Sequence, residues 1–252
     1  MGIRAVSRLT GLHQETVLNI LETAGQKAAA FLDANVRNVN ADFVQADEIH
    51  TIVFSRQANT PKDDTERGEQ FTYVAVDRKS KLIINSLVGK RSRENADTFL
   101  LDLKNRLAGR CQLTTDGWAV YSKGSGGAVA DVFGKQVDYA TEVKTFAKPA
   151  YYLPRELVSC WRSKCIGDPD MAMASTAHAE RTNLSVRTFT RRFTRCTLGF
   201  SKKLANLKYA VALFVWHFNF CRVHSAHGKT PAQAAGLTDR AWTIAELLAE
   251  TN

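Results

Sequence analysis

Proline is scarce and glycine ordinary, at 5 and 15 of 252 residues, which excludes collagen-like and low-complexity chains. Cysteine is sparse too: Cys111, Cys160, Cys165, Cys196 and Cys221 are an odd set with no CxxC pair. They support neither a disulfide framework nor a zinc knuckle, and a reducing compartment, the cytoplasm, is expected. The longest apolar run, Tyr209 to Phe220, is twelve residues and is interrupted by His217 and Asn219, too short for a membrane span. Arg4 and Arg8 are not followed by the apolar stretch of a secretion signal, and Val6 stands where a myristoylation signal needs Ser or Thr. Acid is the remaining deficit: 25 Asp and Glu against 34 Lys and Arg leave a formal charge of +9. That surplus points to a polyanionic partner, nucleic acid above all. The 44% hydrophobic content is enough for one large globular domain, or one domain with a small appendage.

Along the chain the patterning changes character several times. Residues 1–27 read as two short helices around Gly11, with Val6, Leu9, Leu12, Val17, Ile20 and Leu21 as the apolar set. The spacing is that of a helix-turn-helix, with His13 to Thr16 at the exposed start of the second helix, and an ordinary helical hairpin is the alternative. A polar bridge around Ala28 to Asn40 leads to a strand over Phe43 to Phe54, a polar loop, and a hairpin of Phe71–Val76 and Leu82–Val88. Helical spacing of Ala96, Phe99, Leu100, Leu103 and Leu107 follows, then a strand over Cys111–Thr115. Gly124 to Asp170 is expected to be loops, among Pro149, Tyr151, Tyr152 and Pro154, with a strand near Gln136–Ala140. Helices are expected from about Thr176 to Arg195 and Lys203 to Arg222, the second a buried core helix in which Trp216, Phe220 and a hydrogen-bonded His217 pack. The strand and helix order β-β-β-α-β resembles the ribonuclease H fold, an α/β mixed sheet flanked by helices. The expected division is a helix-turn-helix segment over 1–27, a catalytic domain over 41–225, and a helical tail over 226–252.

Three acids stand where such a sheet would bring them together. Asp47 lies in the first strand, Asp116 at the end of the fourth and Glu180 in the first turns of a long helix. Taken singly, each is more often a turn, cap or surface residue. As a set of hard oxygen donors they suit Mg²⁺ or Mn²⁺, two ions serving a phosphoryl transfer. Glu48 competes with Asp47, and strand alternation sends the two to opposite faces. Around Glu180 the helix is strongly basic. Glu180, Asn183, Arg187 and Arg191 share one face, and Thr182, Val186, Phe189 and Phe193 the opposite one. From Glu180 to Lys208 there are eight basic residues and one acid, a run suited to DNA phosphates. His178 is a weaker candidate neighbour of the metal site.

The strings Gln45–Ile49, Thr114–Gly117, Gly167–Asp170, His178–Leu184, Arg191–Arg195 and Phe200–Lys203, with Asn219–His224 and Thr230–Gly236, resemble bacterial DDE transposases of the insertion-sequence-one type. The resemblance spans nearly the whole chain. It implies Asp47, Asp116 and Glu180 as catalytic and metal-binding residues, which selects Asp47 over Glu48. It also implies Arg181, Asn183, Arg187, Arg191, Lys202 and Lys203 as DNA-contacting residues. Water would cleave at an element end and the freed 3′-hydroxyl would attack target DNA, with no covalent protein intermediate. The partners implied are double-stranded DNA, as terminal inverted repeats and as target, and further copies of the chain in a synaptic assembly. Such transposases commonly carry sequence upstream of the helix-turn-helix, so a chain beginning inside that region is implied. Thr182 stands where a longer polar residue is the family's habit. Two rival readings are a catalytically inactive, transposase-derived DNA-binding protein and a structure-selective nuclease of the same fold.

Overall fold

The computed structural model describes residues 2–122, 126–147, 156–194 and 197–249. Gly124, Pro149, Tyr151, Tyr152, Pro154, Arg195 and Cys196 of the readings above lie outside the described residues. The helices are α1 (Ile3–Thr10), α2 (Gln14–Asn35), α3 (Arg93–Arg106), α4 (Ala119–Ser122), α5 (Ala128–Phe133), α6 (Ala177–Phe189), α7 (Leu204–Trp216), α8 (Pro231–Ala234) and α9 (Ile244–Ala249). The strands are β1 (Phe43–Val53), β2 (Gly68–Asp77), β3 (Ile83–Gly89), β4 (Cys111–Thr115), β5 (Val137–Phe146) and β6 (Leu157–Ile166).

The six strands form one sheet in the order β3-β2-β1-β4-β5-β6. β1 to β3 form an antiparallel meander, β4 and β5 run parallel to β1, and β6 returns antiparallel along the outer edge. A central first strand with a meander on one side and parallel strands on the other is the ribonuclease H-like arrangement, here with an added edge strand.

Strict alternation sorts the core into two layers. Val44 and Ala46, Tyr73 and Ala75, and Leu82 and Ile84 face one side, with α2, α3 and α5. Ile49 and Val53, Val74 and Val76, and Ile83 face the other, with α6 and α7. α3 starts where Ser92 accepts the Asn95 N–H, and its last turn carries Lys104 and Arg106 against the helix dipole. Buried Arg106 reaches across to the Leu32 and Val36 carbonyls and to Asp33, capping the end of α2.

Several expectations are corrected. Gly11, at φ 73, turns the chain between α1 and α2, but α2 is not short: its 22 residues absorb much of the expected polar bridge. Arg106, supplied by another element, holds the end that a local reading would have frayed. Of the expected apolar set only Val17 is buried, whereas Leu9, Leu12 and Ile20 are exposed. α2 instead packs its lower half on α7, where Gly25 brings the two backbones together: a Cβ there would lie 2.7 Å from Tyr209 Cα. The region read as loops from Gly124 holds a short α5 at Ala128–Phe133, and beyond Ala140 the antiparallel pair β5 and β6. β6 has a single strand neighbour and is exposed along nearly its whole length, so it carries no apolar alternation to read. Residues 226–249 contribute Ala232 and Leu247 to the same core as α2, and Trp242 packs edge-on against Phe31. His217 is exposed rather than buried, because α7 ends in a π-turn over His217–Cys221 that rotates Phe218, Asn219 and Phe220 inward instead. Trp216 and Phe220 are buried and stacked, as expected. No helix among the described residues is long and apolar enough to cross a membrane.

Candidate active site

The β1–β4 register pairs Phe43 with Gln112, Val44 with Leu113 and Gln45 with Thr114. Carried two residues further, parallel pairing brings Asp47 level with Asp116. Asp47 lies on the sheet face covered by α6, and the fit of helix to strand is metric. Two residues of strand rise about 6.6 Å and four of helix about 6 Å. Gln45 Oε1 accepts the backbone N–H groups of His178 (2.7 Å) and Ala179 (3.3 Å), satisfying the start of α6. One step further along both elements, Asn183 Nδ2 donates to Asp47 Oδ2 at 2.9 Å. A step beyond that, Ile49 and Val186 share one apolar cluster. Glu180 thereby comes to Asp47's side of the sheet.

Asp47 is the acid on which the local charges converge. Burial pushes the Asp47 carboxyl up to about 6, and the negative charges of Asp116 and Glu180 push in the same direction, against hydrogen bonds from the Glu48 N–H and Asn183. Such crowding of carboxylates favours any compensating cation. Two side chains supply compensation. Arg91 Nη2 lies 3.3 Å from Asp116 Oδ2 and 3.0 Å from Glu48 Oε2, with its guanidinium 4.5 Å over the Trp118 ring. Lys144 Nζ lies 2.6 Å from Glu180 Oε1 and 3.0 Å from Glu142 Oε2. Glu180 also accepts from the Thr176 hydroxyl at 2.7 Å. The cleft beside these groups is lined by Arg91, Asp116, Gly117, Trp118, Val143 and Lys144.

Glu48 does face the opposite layer. Its side chain is 3% exposed and accepts from the Tyr121 hydroxyl and Arg91, and burial followed by the Asp116 charge raises its carboxyl to about 7.

The helix face is rotated from the sequence reading. The buried arc of α6 is Ala179, Thr182, Asn183 and Val186, so Asn183 is packed against Asp47 rather than exposed with the basic residues, while Phe189 is 57% exposed under the Arg222 guanidinium. The small Ala179 lets the helix sit close enough for that bond. Helix α6 also stops at Phe189 and gives way to a 3-10 turn at Arg191–Phe193. Arg181, Arg191, Lys202 and Lys203 are exposed and Arg187 is half-buried. His178 turns its ring to Lys81, away from the acids.

Glu142 was not singled out in the sequence. It is 3% exposed, and its carboxylate accepts from the Thr176 N–H and pairs with Lys144 and Arg162. Burial alone would raise its carboxyl, but those donors prevail and hold it at about 2. The one available signal was the Glu142, Lys144 pair at i, i+2 on a strand otherwise reading as buried.

The oxygen donors of Asp47, Asp116 and Glu180 are of the type that hard divalent cations take. Among the described residues, no three His, Cys, Asp or Glu side chains are gathered closely enough to hold a metal ion, and Arg91 and Lys144 occupy Asp116 and Glu180. The donors are of the right chemical type for a divalent cation, but they are not drawn together into one site.

No protein-family model matches the sequence, and no curated protein matches it. Among solved structures, a chain of the simian T-cell lymphotropic virus intasome in complex with PP2A regulatory subunit B56 gamma is similar at 18% identity and a TM-score of 0.47, over 93% of this chain and 70% of that one. A piggyBac transposase synaptic complex with hairpin DNA is similar at 10% identity and a TM-score of 0.35, over 83% of this chain and 51% of that one.

Proposed function

We propose that the protein is a divalent-metal-dependent polynucleotidyl transferase, a DDE transposase of the insertion-sequence-one type that cuts and joins DNA strands at element ends. The observation that carries this reading is the placing of Asp116 and Glu180 beside Asp47. Asn183 of α6 bonds the Asp47 carboxylate on β1, and the charges of Asp116 at the end of β4 and of Glu180 on α6 both act on it. Asp47, Asp116 and Glu180 would hold Mg²⁺ or Mn²⁺, which when bound supplies Lewis acidity at the attacked phosphate. The chain's own side chains do the rest. Asn183 fixes the Asp47 carboxylate by its Oδ2, leaving Oδ1 on the Glu48 N–H. Arg91 and Lys144, released from Asp116 and Glu180, are placed to meet non-bridging phosphate oxygens. Tyr121 is no nucleophile for a covalent intermediate: it is buried, its hydroxyl is given to Glu48, and burial holds its proton far more tightly than usual.

The test is incubation of end-labelled duplexes carrying the element's flanking repeats with the protein and Mg²⁺ or Mn²⁺. Nicking and joining that vanish in Asp116→Ala are expected, and activity that survives the substitution would overturn the reading. A second reading, a DNA-binding protein without catalysis, draws on the ion pairs that close over Asp116 and Glu180. Duplex binding with no cleavage in either metal would favour it.

A further inference from the structure

The strongest feature outside the acid centre is a groove between the first helix pair and the chain leaving α6. Gly2, Arg4 and Arg8 of α1 and Gln14 and Leu18 of α2 form one wall, and Arg191, Arg192, Phe200 and Lys202 form the other. Among the described residues, five cations line it and no acid does. Seven surface cations elsewhere, Arg37, Arg67, Arg93, Arg110, Arg162, Lys164 and Arg240, lie within salt-bridge distance of a carboxylate, whereas scattered others such as Lys62, Lys135 and Lys203 do not; what sets the groove apart is that its cations are gathered in one place. Among the described residues, none of the five groove cations has such a partner. Arg192 is partly buried with its guanidinium on the Ser201 hydroxyl at 2.7 Å. Holding a guanidinium out of water without a counter-charge is unfavourable, and an anion entering the groove removes that cost.

The groove is tied rigidly to the acid centre. Thr51, on the same face of β1 as Asp47, donates its hydroxyl to the Arg192 carbonyl at 3.0 Å. At the end of β1, Val53 bridges to Ser201 and the Phe54 N–H bonds the Ser201 carbonyl at 2.9 Å. From Asp47 to Val53 is six residues of strand, about 20 Å. At about 3.4 Å per base pair, that separation is roughly six base pairs of B-form DNA.

We infer that this groove is a second DNA-binding site that grips the sugar–phosphate backbone of the duplex, roughly six base pairs from the phosphate presented to Asp47 and Asp116. The inference rests on the reading of the protein as one that acts on DNA, and names the side chains that hold the flanking duplex. Arg4 and Arg8 close the groove from the helix pair, so one stretch of backbone is held by both the first helix and the loop after α6. The contacts are to phosphate, and carry position rather than sequence.

The test is fluorescence-anisotropy titration of a labelled duplex of roughly 30 base pairs and arbitrary sequence, in EDTA, over a range of salt concentrations. Arg4→Gln/Arg8→Gln and Arg191→Gln/Lys202→Gln are compared with the wild type and with Lys164→Gln/Arg240→Gln, which removes two compensated cations elsewhere. Each groove pair is expected to weaken binding about tenfold or more and to lower the slope of log K against log salt by about two, with the control unchanged. Circular dichroism of each variant establishes that it is folded. Groove variants that keep the wild-type affinity and slope, a control that loses as much as they do, or a wild type that does not bind the duplex would each overturn the inference. Because binding in EDTA needs no cleavage, the two readings fail separately. Groove-dependent binding without cleavage removes the transposase reading alone, and cleavage with unaltered binding by the groove variants removes the groove alone.

Discussion

Asn183 donates its side-chain N–H to Asp47 Oδ2 at 2.9 Å, across the contact between α6 and β1. Both residues are largely out of solvent, and the bond draws the helix that carries Glu180 against the strand that carries Asp47. Asn183→Ala is expected to cost about 1–3 kcal/mol in urea denaturation, because Asp47 is left partly buried with one donor fewer. Asn183→Asp is expected to be worse for cleavage than Asn183→Ala, since it sets a fourth negative charge beside three. Equal activity of the two variants would argue against a positioning role.

Arg91 bridges Glu48 and Asp116, so it competes with any cation that Asp116 would bind. Arg91→Gln is expected to lower the melting temperature in EDTA while enlarging the rise produced by saturating Mn²⁺. A ligand that binds only the folded state stabilises in proportion to the logarithm of its occupancy ratio. Differential scanning fluorimetry with and without metal reads both effects, and a variant whose metal-induced rise is no greater than that of the wild type would contradict the competition.

Glu142 supplies a pH dependence with a definite sign. Its folded carboxyl is held at about 2 against an ordinary 4.5, so its contribution is complete above about 4.5 and is lost as the pH falls toward 2. Glu142→Gln is expected to lower stability at neutral pH by on the order of 2 kcal/mol and to flatten the acid limb of the stability curve. Urea midpoints measured from pH 7 to pH 3 give the comparison. Parallel acid limbs in the two proteins would remove Glu142 from the account.

Gly25 lies where α2 crosses α7, with no room for a side chain over Tyr209. Gly25→Ala would gain about 1 kcal/mol of helix propensity on an isolated helix. Here the clash is expected to prevail, for a net loss of about 1–3 kcal/mol in thermal or urea unfolding. A stabilised variant would mean that the two helices separate easily.

The sheet and its central acids were legible in the sequence because their signals are local. β4 is found at Cys111–Thr115, running directly into Asp116, and the alternation through Phe43 to Val53 gives β1 and separates Asp47 from Glu48. What the sequence hid depends on partners far along the chain. The length of α2 depends on Arg106 capping its end from α3, and β6 is a strand because β5 offers it an edge. Asn183 lies near the boundary of the polar arc of α6, and only the strand beneath shows that it turns inward. Glu142 has Lys144 two residues on, but nothing in that local pair marks it as the anchor for Thr176.

α2 begins in solvent at Gln14 and packs on the core through Ala24, Gly25 and Ala28, one unbroken helix of 22 residues, or about 33 Å. There is thus no swivel within it between the exposed helix start beyond Gly11 and the sheet that carries Asp47. On the proposed reading, DNA held by the first turns would lie at a constant offset from Asp47 and Asp116. The cutting position would then be measured by a ruler of fixed length rather than found by a tethered domain.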